Sequence, residues 1–252
     1  MLGTKILSKN TVGSWITIGH PMVAEIMSSV GFDWLTIDLE HSSISVSQAE
    51  ELIRVITLKG VPTFVRTSSN NAEQIKRVLD FGASGIIVPM VNSALDAQQA
   101  VAAARYPPLG RRSFGLARAQ KYGCGFLEYV EWEKDGNVCV VAQIEHIDAV
   151  ENFEHIVSTE GIDGFLVGPY DLSGSLGIPG RFSDQRFLDA MAHINTVASR
   201  LKIPGGVHIV EPDVAQLRKT LEEGAEFVAF SLDSRILDVG CRVAKEILNG
   251  AA

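Results

Sequence analysis

Cysteine is scarce: Cys124, Cys139 and Cys241 are the only three in 252 residues, and none forms a CxxC pair. That excludes a disulfide framework and a zinc knuckle and suits a reducing cytoplasm. Basic blocks are also missing, because 22 Lys and Arg are spread among 30 Asp and Glu for a net charge of −8. A phosphate backbone would meet no basic footprint, so nucleic acid is not an expected partner. No stretch approaches the roughly 18 apolar residues that span a bilayer, and the opening MLGTKILSKN lacks the apolar core of a signal peptide. A soluble, unexported protein without a membrane partner is expected. Neither GxGxxG nor GxxxxGKS/T occurs, which removes two phosphate-cradling turns. What is present is apolar: 46% of the residues, against 21% charged, suffice for a sizeable core in one large domain or two small ones.

Short apolar, β-branched runs alternate with longer amphipathic stretches, the pattern of parallel βαβ units. Strands are expected at 14–18, 34–38, 62–66, 84–88, 138–143, 163–167, 204–208 and 226–230. Helices should follow at about 20–30, 45–59, 70–81, 93–105, 148–158, 184–200, 211–223 and 234–249. Eight βα pairs in a chain of this length predict a single (β/α)8 TIM barrel over residues 1–252, not a doubly wound sheet. The longest irregular segment, 106–137, contains PPLGRRSFG and GCG, and loops of that length are usually functional or mobile.

Chemistry in such a barrel belongs at the C-terminal ends of the strands. Asp38 and His41 follow strand two, Arg66 ends strand three, Gln143 and Glu145 end strand five, Gly168-Pro169-Tyr170-Asp171 follows strand six, and His208 ends strand seven. Each has a plainer reading: Asp38 or Glu145 could cap a helix, Asp171 could fix a loop, and Arg66 could neutralise carboxylates. Five strands contributing to one rim favour a site. None of the nine lysines ends a strand, so a Schiff-base aldolase lacks its amine. Glu145 and Asp171, on adjacent strands, instead offer the oxygen ligands of a hard divalent cation, whose remaining positions go to water and substrate. Such a cation can act as a Lewis acid on a 2-oxo acid, with Arg66 as a fixed positive fork beside it. His41 has the range for proton transfer near neutrality, with a nearby carboxylate to orient it. His20 and His208 stand at strand ends facing the mouth, His146 adjoins Glu145 and could face away, and Trp15 is core or pocket wall.

FDWLTIDLEH (32–41), PTFVR (62–66), LDFGASGIIVPMV (79–91), YPPLGRRSFG (106–115), VVAQIEH (140–146), DGFLVGPYDLSGSLGIPG (163–180) and GAEFVAFSLD (224–233) resemble the HpcH/HpaI-type, metal-dependent class II pyruvate aldolases. The resemblance spans nearly the whole chain. It implies a (β/α)8 barrel, commonly a homohexamer with the last helix exchanged between subunits. The implied reaction is reversible aldol cleavage of a 4-hydroxy-2-oxo acid to pyruvate, or a related 2-oxo acid, and an aldehyde. By the same resemblance Glu145 and Asp171 hold Mg2+, Mn2+ or Co2+, Arg66 binds pyruvate oxygens and steadies the enolate, and Gln143 contacts pyruvate. Backbone amides of the Gly168–Asp171 loop hold the carboxylate, and Asp38 and His41 form the acid/base pair; Trp15 and His208 are substrate-binding candidates by their place on strands one and seven, not by the resemblance. Asp80 matches a catalytic aspartate of the family, yet it precedes strand four and so could reach a site only in a neighbouring subunit. Two places depart from the family: strand seven reads PGGVHIVEPD where an aliphatic residue is usual near His208, and SLD at 231–233 stands where small residues are more usual. Oxaloacetate-type decarboxylation through the same enolate, and a non-catalytic ligand-binding barrel, are the competing readings.

Overall fold

The structure, a computed structural model, describes Leu7 and residues 10–250. Most of the opening stretch, with Lys5 and Lys9, and the last two residues of the expected 1–252 domain lie outside the described residues. Eight strands form the barrel: β1 (Thr11–Ile16), β2 (Trp34–Asp38), β3 (Thr63–Arg66), β4 (Gly85–Val88), β5 (Cys139–Ile144), β6 (Gly164–Val167), β7 (Gly205–Ile209) and β8 (Phe227–Leu232). All neighbours are parallel, and β8 pairs with β1 to close the ring. The (β/α)8 TIM barrel expected from the alternation is the observed architecture.

Strand alternation divides the core into two layers. Trp15, Trp34, Phe64, Ile87, Val141, Leu166 and Phe227 point inward and fill the barrel. Their outward neighbours Ile16, Leu35, Val65, Ile86, Val140 and Phe165 pack against the helices. Room for the inward rings comes from glycine: a Cβ on Gly13 would lie 2.1 Å from the Trp34 ring, and one on Gly206 2.3 Å from the Phe227 ring. The helices dock by the expected stripe. In Val46–Leu58, Ala49, Leu52, Ile53 and Ile56 are buried, and Ser45 with Gln48 closes a capping box at the start.

Boundaries differ from expectation where side chains seize the backbone. The first strand, expected at 14–18, runs from Thr11 to Ile16. Its start is held by Asp33, which accepts from the Val12 N–H. Its end comes where Asp233 takes the Thr17 and Ile18 N–H groups at 2.9 Å each. The single helix expected over 148–158 is two, Ile147–Glu151 and Phe153–Val157. They part at Asn152, whose side chain donates to the Asn92 carbonyl at 3.0 Å. The segment 106–137 is partly helical, with a 3-10 turn at Lys121–Gly123, a helix at Phe126–Trp132 and a π turn at Glu133–Asn137. Flanking glycines and short length hid these elements from periodicity. Pro169–Ser175 is a further short helix with proline in its first turn, a placement that suits a residue lacking N–H. Among the described residues no helix is long and apolar enough to cross a membrane.

Candidate active site

Inward parity continues past the packed layers to the C-terminal mouth. On β2 the sequence Trp34, Thr36, Asp38 faces in; on β3 Phe64 is followed by Arg66; on β5 Val141 is followed by Gln143 and then Glu145. Arg66 reaches back across the rim and grips Asp38 with two bonds, Nε to Oδ1 at 2.8 Å and Nη2 to Oδ2 at 2.7 Å. Its Nη1 lies 3.1 Å from Glu40 Oε2, and its guanidinium carbon stands 4.4 Å from the centre of the Trp15 ring. A guanidinium carries five N–H donors, so the two carboxylates leave part of the fork for an incoming anion. Burial pushes the Asp38 carboxyl up, but the Arg66 fork and the N–H groups of Glu40 and His41 outweigh it and hold it below the ordinary carboxylate range.

Asp38 is thus committed to Arg66 and to backbone. It meets His41 only through the main-chain N–H, at 3.4 Å, and the acid/base pairing of Asp38 with the His41 imidazole is corrected accordingly. The carboxylate nearest that imidazole is Glu40, whose Oε2 lies 3.7 Å from Nε2. Sequence reading passed over Glu40 because it sits between two stronger candidates in DLEH; its signal was that motif's second acid. Burial pushes the Glu40 carboxyl up to about 6, against the pull of Arg66 and His41 and aided by repulsion from Glu145 and Asp38. A folded value above the ordinary 4.5 means that stability is fully present below pH 4.5 and falls as pH rises through 6. Glu40→Gln removes that loss, so its melting temperature relative to the parent should rise steadily between pH 4.5 and 7. A flat difference in thermal denaturation across that range would show that Glu40 ionises as it does in the unfolded chain.

Glu145 is 3% exposed. Its Oε1 accepts from the Met90 N–H at 2.7 Å, and Oε2 accepts from the Gln143 amide. Met90 presents that N–H from a left-handed backbone conformation, φ 52°, a main-chain contribution that no side-chain pattern reveals. Burial pushes the Glu145 carboxyl up, the Gln143 and Met90 donors pull it down, Asp171 pushes it up again, and Arg66 pulls it down. Asp171 is exposed in the first turn of Pro169–Ser175. Gly168 keeps the wall beside Glu145 open, because a Cβ there would stand 3.0 Å from Oε2. Among the described residues neither Glu145 nor Asp171 has an ion pair with a basic side chain, and no three His, Cys, Asp or Glu converge as a complete metal cage. Two oxygen donors, one of them buried without a counter-ion and repelled by the other, fit a hard divalent cation that keeps most of its shell for water and substrate. Gln143 Oε1 is buried without a partner beside them.

The remaining candidates separate. Trp15 and His208 belong to the mouth, with rings stacked at 5.1 Å between centroids. Pro169 and Tyr170 open the short helix next to Asp171, the Tyr170 ring resting against Phe182. His20 and His146 are helix caps, accepting from the N–H groups of Met22 and Asp148. Asp80 ends the helix Ala72–Asp80 at the opposite end of the barrel, where Arg112 donates to it at 2.6 Å. It takes no part in the mouth of its own chain.

For Arg66→Lys, a loss of at least tenfold in kcat/KM is expected, about 1.4 kcal/mol of transition-state stabilisation. A point ammonium can neither span both oxygens of Asp38 nor present parallel bonds to a substrate anion. Near-parental steady-state kinetics would reduce Arg66 to a structural role.

Known proteins bear on this geometry. The family described as HpcH/HpaI aldolase/citrate lyase matches residues 11–238. A hydroxypyruvate/pyruvate aldolase of Sagittula stellata is 36% identical over 227 residues, 90% of this chain and 88% of that protein. A 4-hydroxy-2-oxovalerate aldolase of Rhodococcus jostii is 38% identical over 231 residues, 91% of this chain and 88% of that protein. Among solved structures, an HpcH/HpaI aldolase/citrate lyase family protein of Burkholderia cenocepacia J2315 superposes with a TM-score of 0.90 at 28% identity, covering 98% of both chains. A match over most of the chain, relatives above one-third identity and the same barrel place this chain in the HpcH/HpaI aldolase/citrate lyase family, as an enzyme of the aldolase type.

Proposed function

We propose that this chain cleaves a 4-hydroxy-2-oxo acid reversibly to pyruvate, or a related 2-oxo acid, and an aldehyde, and that Glu145 and Asp171 hold the Mg2+, Mn2+ or Co2+ it needs. The observation that carries this reading is the opposition of a partly free Arg66 fork to a buried Glu145 without a counter-ion on one inward face of the barrel. When bound, the cation supplies Lewis-acid stabilisation of negative charge on the 2-oxo acid oxygens.

Arg66 orients the substrate carboxylate or keto oxygen and steadies the enolate after the C3–C4 bond breaks. The first-turn N–H groups of Tyr170 and Asp171, in the helix Pro169–Ser175, are left for the substrate carboxylate, while the Gly168 N–H is taken by the Ile144 carbonyl. Gln143 fixes Glu145 with its amide N–H and keeps its carbonyl for the ligand. His41, 65% exposed at the rim, takes the proton of the 4-hydroxyl as the aldehyde forms, with Glu40 beside it. The enolate is then protonated at C3 to give pyruvate.

Asp80 enters this scheme only if it serves the site of a second copy. Ile236, Leu237 and Val243 of the last helix, Asp233–Gly250, are exposed, which supports packing of that helix on another subunit, a homohexamer by family resemblance. The free thiols of Cys124 and Cys241 accord with a cytoplasmic enzyme acting on small molecules. The test is pyruvate release, followed by a coupled dehydrogenase, from a panel of 4-hydroxy-2-oxo acids and from oxaloacetate, with and without chelator. Chelator-sensitive cleavage of hydroxy-oxo acids supports the proposal. Activity on oxaloacetate alone would replace it with a decarboxylase, and no pyruvate from any substrate would leave a binding barrel.

A further inference from the structure

The scheme above leaves two polar side chains of the mouth, His208 and Trp15, without a task. His208 faces inward on β7, and its ring lies nearly parallel to Trp15, with 12° between the planes. Its Nε2 stands 3.2 Å from the Ser231 carbonyl oxygen. A carbonyl can only accept, so Nε2 carries the hydrogen and Nδ1 keeps a lone pair. That carbonyl is held firmly. Ser231 adopts a left-handed backbone, φ 53°, rare for a residue with a Cβ. Its hydroxyl donates to the Val210 carbonyl at 2.9 Å. Burial, with the positive charge of Arg66, drives the His208 imidazole down to about 4 against the pull of the Ser231 carbonyl and of Asp38. The ring is neutral at working pH, in the one tautomer.

Trp15 supplies the complementary group. Its Nε1–H is buried with no acceptor, an unfavourable state unless a ligand or water relieves it. The same ring lies against the Arg66 guanidinium. A 2-oxo acid gripped by Arg66 would meet this wall, since the Arg66 guanidinium lies 4.4 Å from the Trp15 ring centre and His208 stacks on that ring. A methyl group uses neither a buried N–H donor nor an imidazole lone pair. A hydroxyl, which donates and accepts, uses both.

We propose that His208 and Trp15 form a hydroxyl-reading subsite for the nucleophilic half of the reaction, so that 3-hydroxy-2-oxo acids of the hydroxypyruvate class are selected over pyruvate. The inference rests on the 2-oxo acid reading of the Arg66 site. Sites built around such hydrogen bonds discriminate strongly against ligands that lack the polar group.

Exchange of C3 hydrogens in D2O, followed by proton NMR, isolates this half because it needs no aldehyde. The metal-loaded enzyme is given hydroxypyruvate or pyruvate separately, and the ratio of the two exchange efficiencies is compared among variants. His208→Leu should lower the hydroxypyruvate-to-pyruvate ratio at least tenfold. Trp15→Phe, which keeps the ring and deletes only the N–H, should lower it in the same direction. His208→Gln, whose amide can both donate and accept, should recover part of it. A ratio within threefold of the parent in both His208→Leu and Trp15→Phe would overturn the proposal, and if the leucine variant does not fold, the phenylalanine variant decides. Absence of exchange with either acid in the parent enzyme would overturn the 2-oxo acid reading as well; exchange of both with an unmoved ratio overturns this proposal alone.

Discussion

Glu145→Gln should abolish metal binding and reduce pyruvate release to the assay background, and Asp171→Asn should do the same, in both cases with the barrel still folded. A carboxamide keeps the outline of the side chain but loses the charge that a hard cation requires. Asp38 and Glu40, the other carboxylates of the mouth, are engaged by Arg66, so neither stands ready to replace a lost ligand. The folded state should even benefit at Glu145. Burial pushes that carboxyl up, so ionising it in the metal-free protein at neutral pH opposes folding, and replacing it with a neutral amide removes the opposition. The metal-free Glu145→Gln protein should therefore unfold at a temperature equal to or above that of the metal-free parent. Elemental analysis giving parental metal content in either variant would count against the ligand assignment, while a lowered melting temperature for Glu145→Gln would point to a structural role for its bonds to Met90 and Gln143.

His41→Ala should cut aldol cleavage by about 10²–10⁴, the usual share of one positioned proton-transfer group, and should cut oxaloacetate decarboxylation much less. Decarboxylation also needs an enolate stabilised at Arg66 and the metal carboxylates, but it has no 4-hydroxyl proton to remove. The two activities separate in this variant and fall together in Glu145→Gln. Because Asp38 is held by Arg66, the two halves of the expected dyad should behave differently. Asp38→Asn weakens the grip on Arg66 and should raise KM for the 2-oxo acid, whereas His41→Ala acts on kcat. If His41 only packs the loop after β2, both activities decline equally, and parallel losses measured side by side would remove its proton-transfer role.

The barrel and the inward placement of its candidate site residues were legible in the chain because both depend on local periodicity. Each apolar run is short and β-branched, each following stretch is amphipathic, and alternation along β2, β3 and β5 puts Asp38, Arg66, Gln143 and Glu145 on the inward parity as directly as it does Trp34, Phe64 and Val141. Family-specific strings such as QIE and GPYDLSGSLG carried the expected ligands on top of that pattern. Short-range order also accounts for the misses in the fold: Asn152 breaks a helix through a bond to a residue 60 positions away, and Asp233 ends β1 from 216 positions away. Neither leaves a mark in a window of a dozen residues.

The partner of each polar group was decided only by tertiary structure. Arg66 and Asp38 are 28 residues apart and Met90 and Glu145 are 55 apart, yet closure of the ring brings each pair to hydrogen-bond distance. Once Arg66 takes both oxygens of Asp38, the sequence-adjacent His41 is left with Glu40, a consequence of competition between neighbours on different strands. The same closure lays His208 on Trp15, from β7 to β1, and fixes its tautomer through a carbonyl on β8. Sequence thus determined which residues face the mouth, because parity is a property of each strand. Folding determined what each of them holds, because bond partners are chosen by distance in space among groups that the chain keeps far apart.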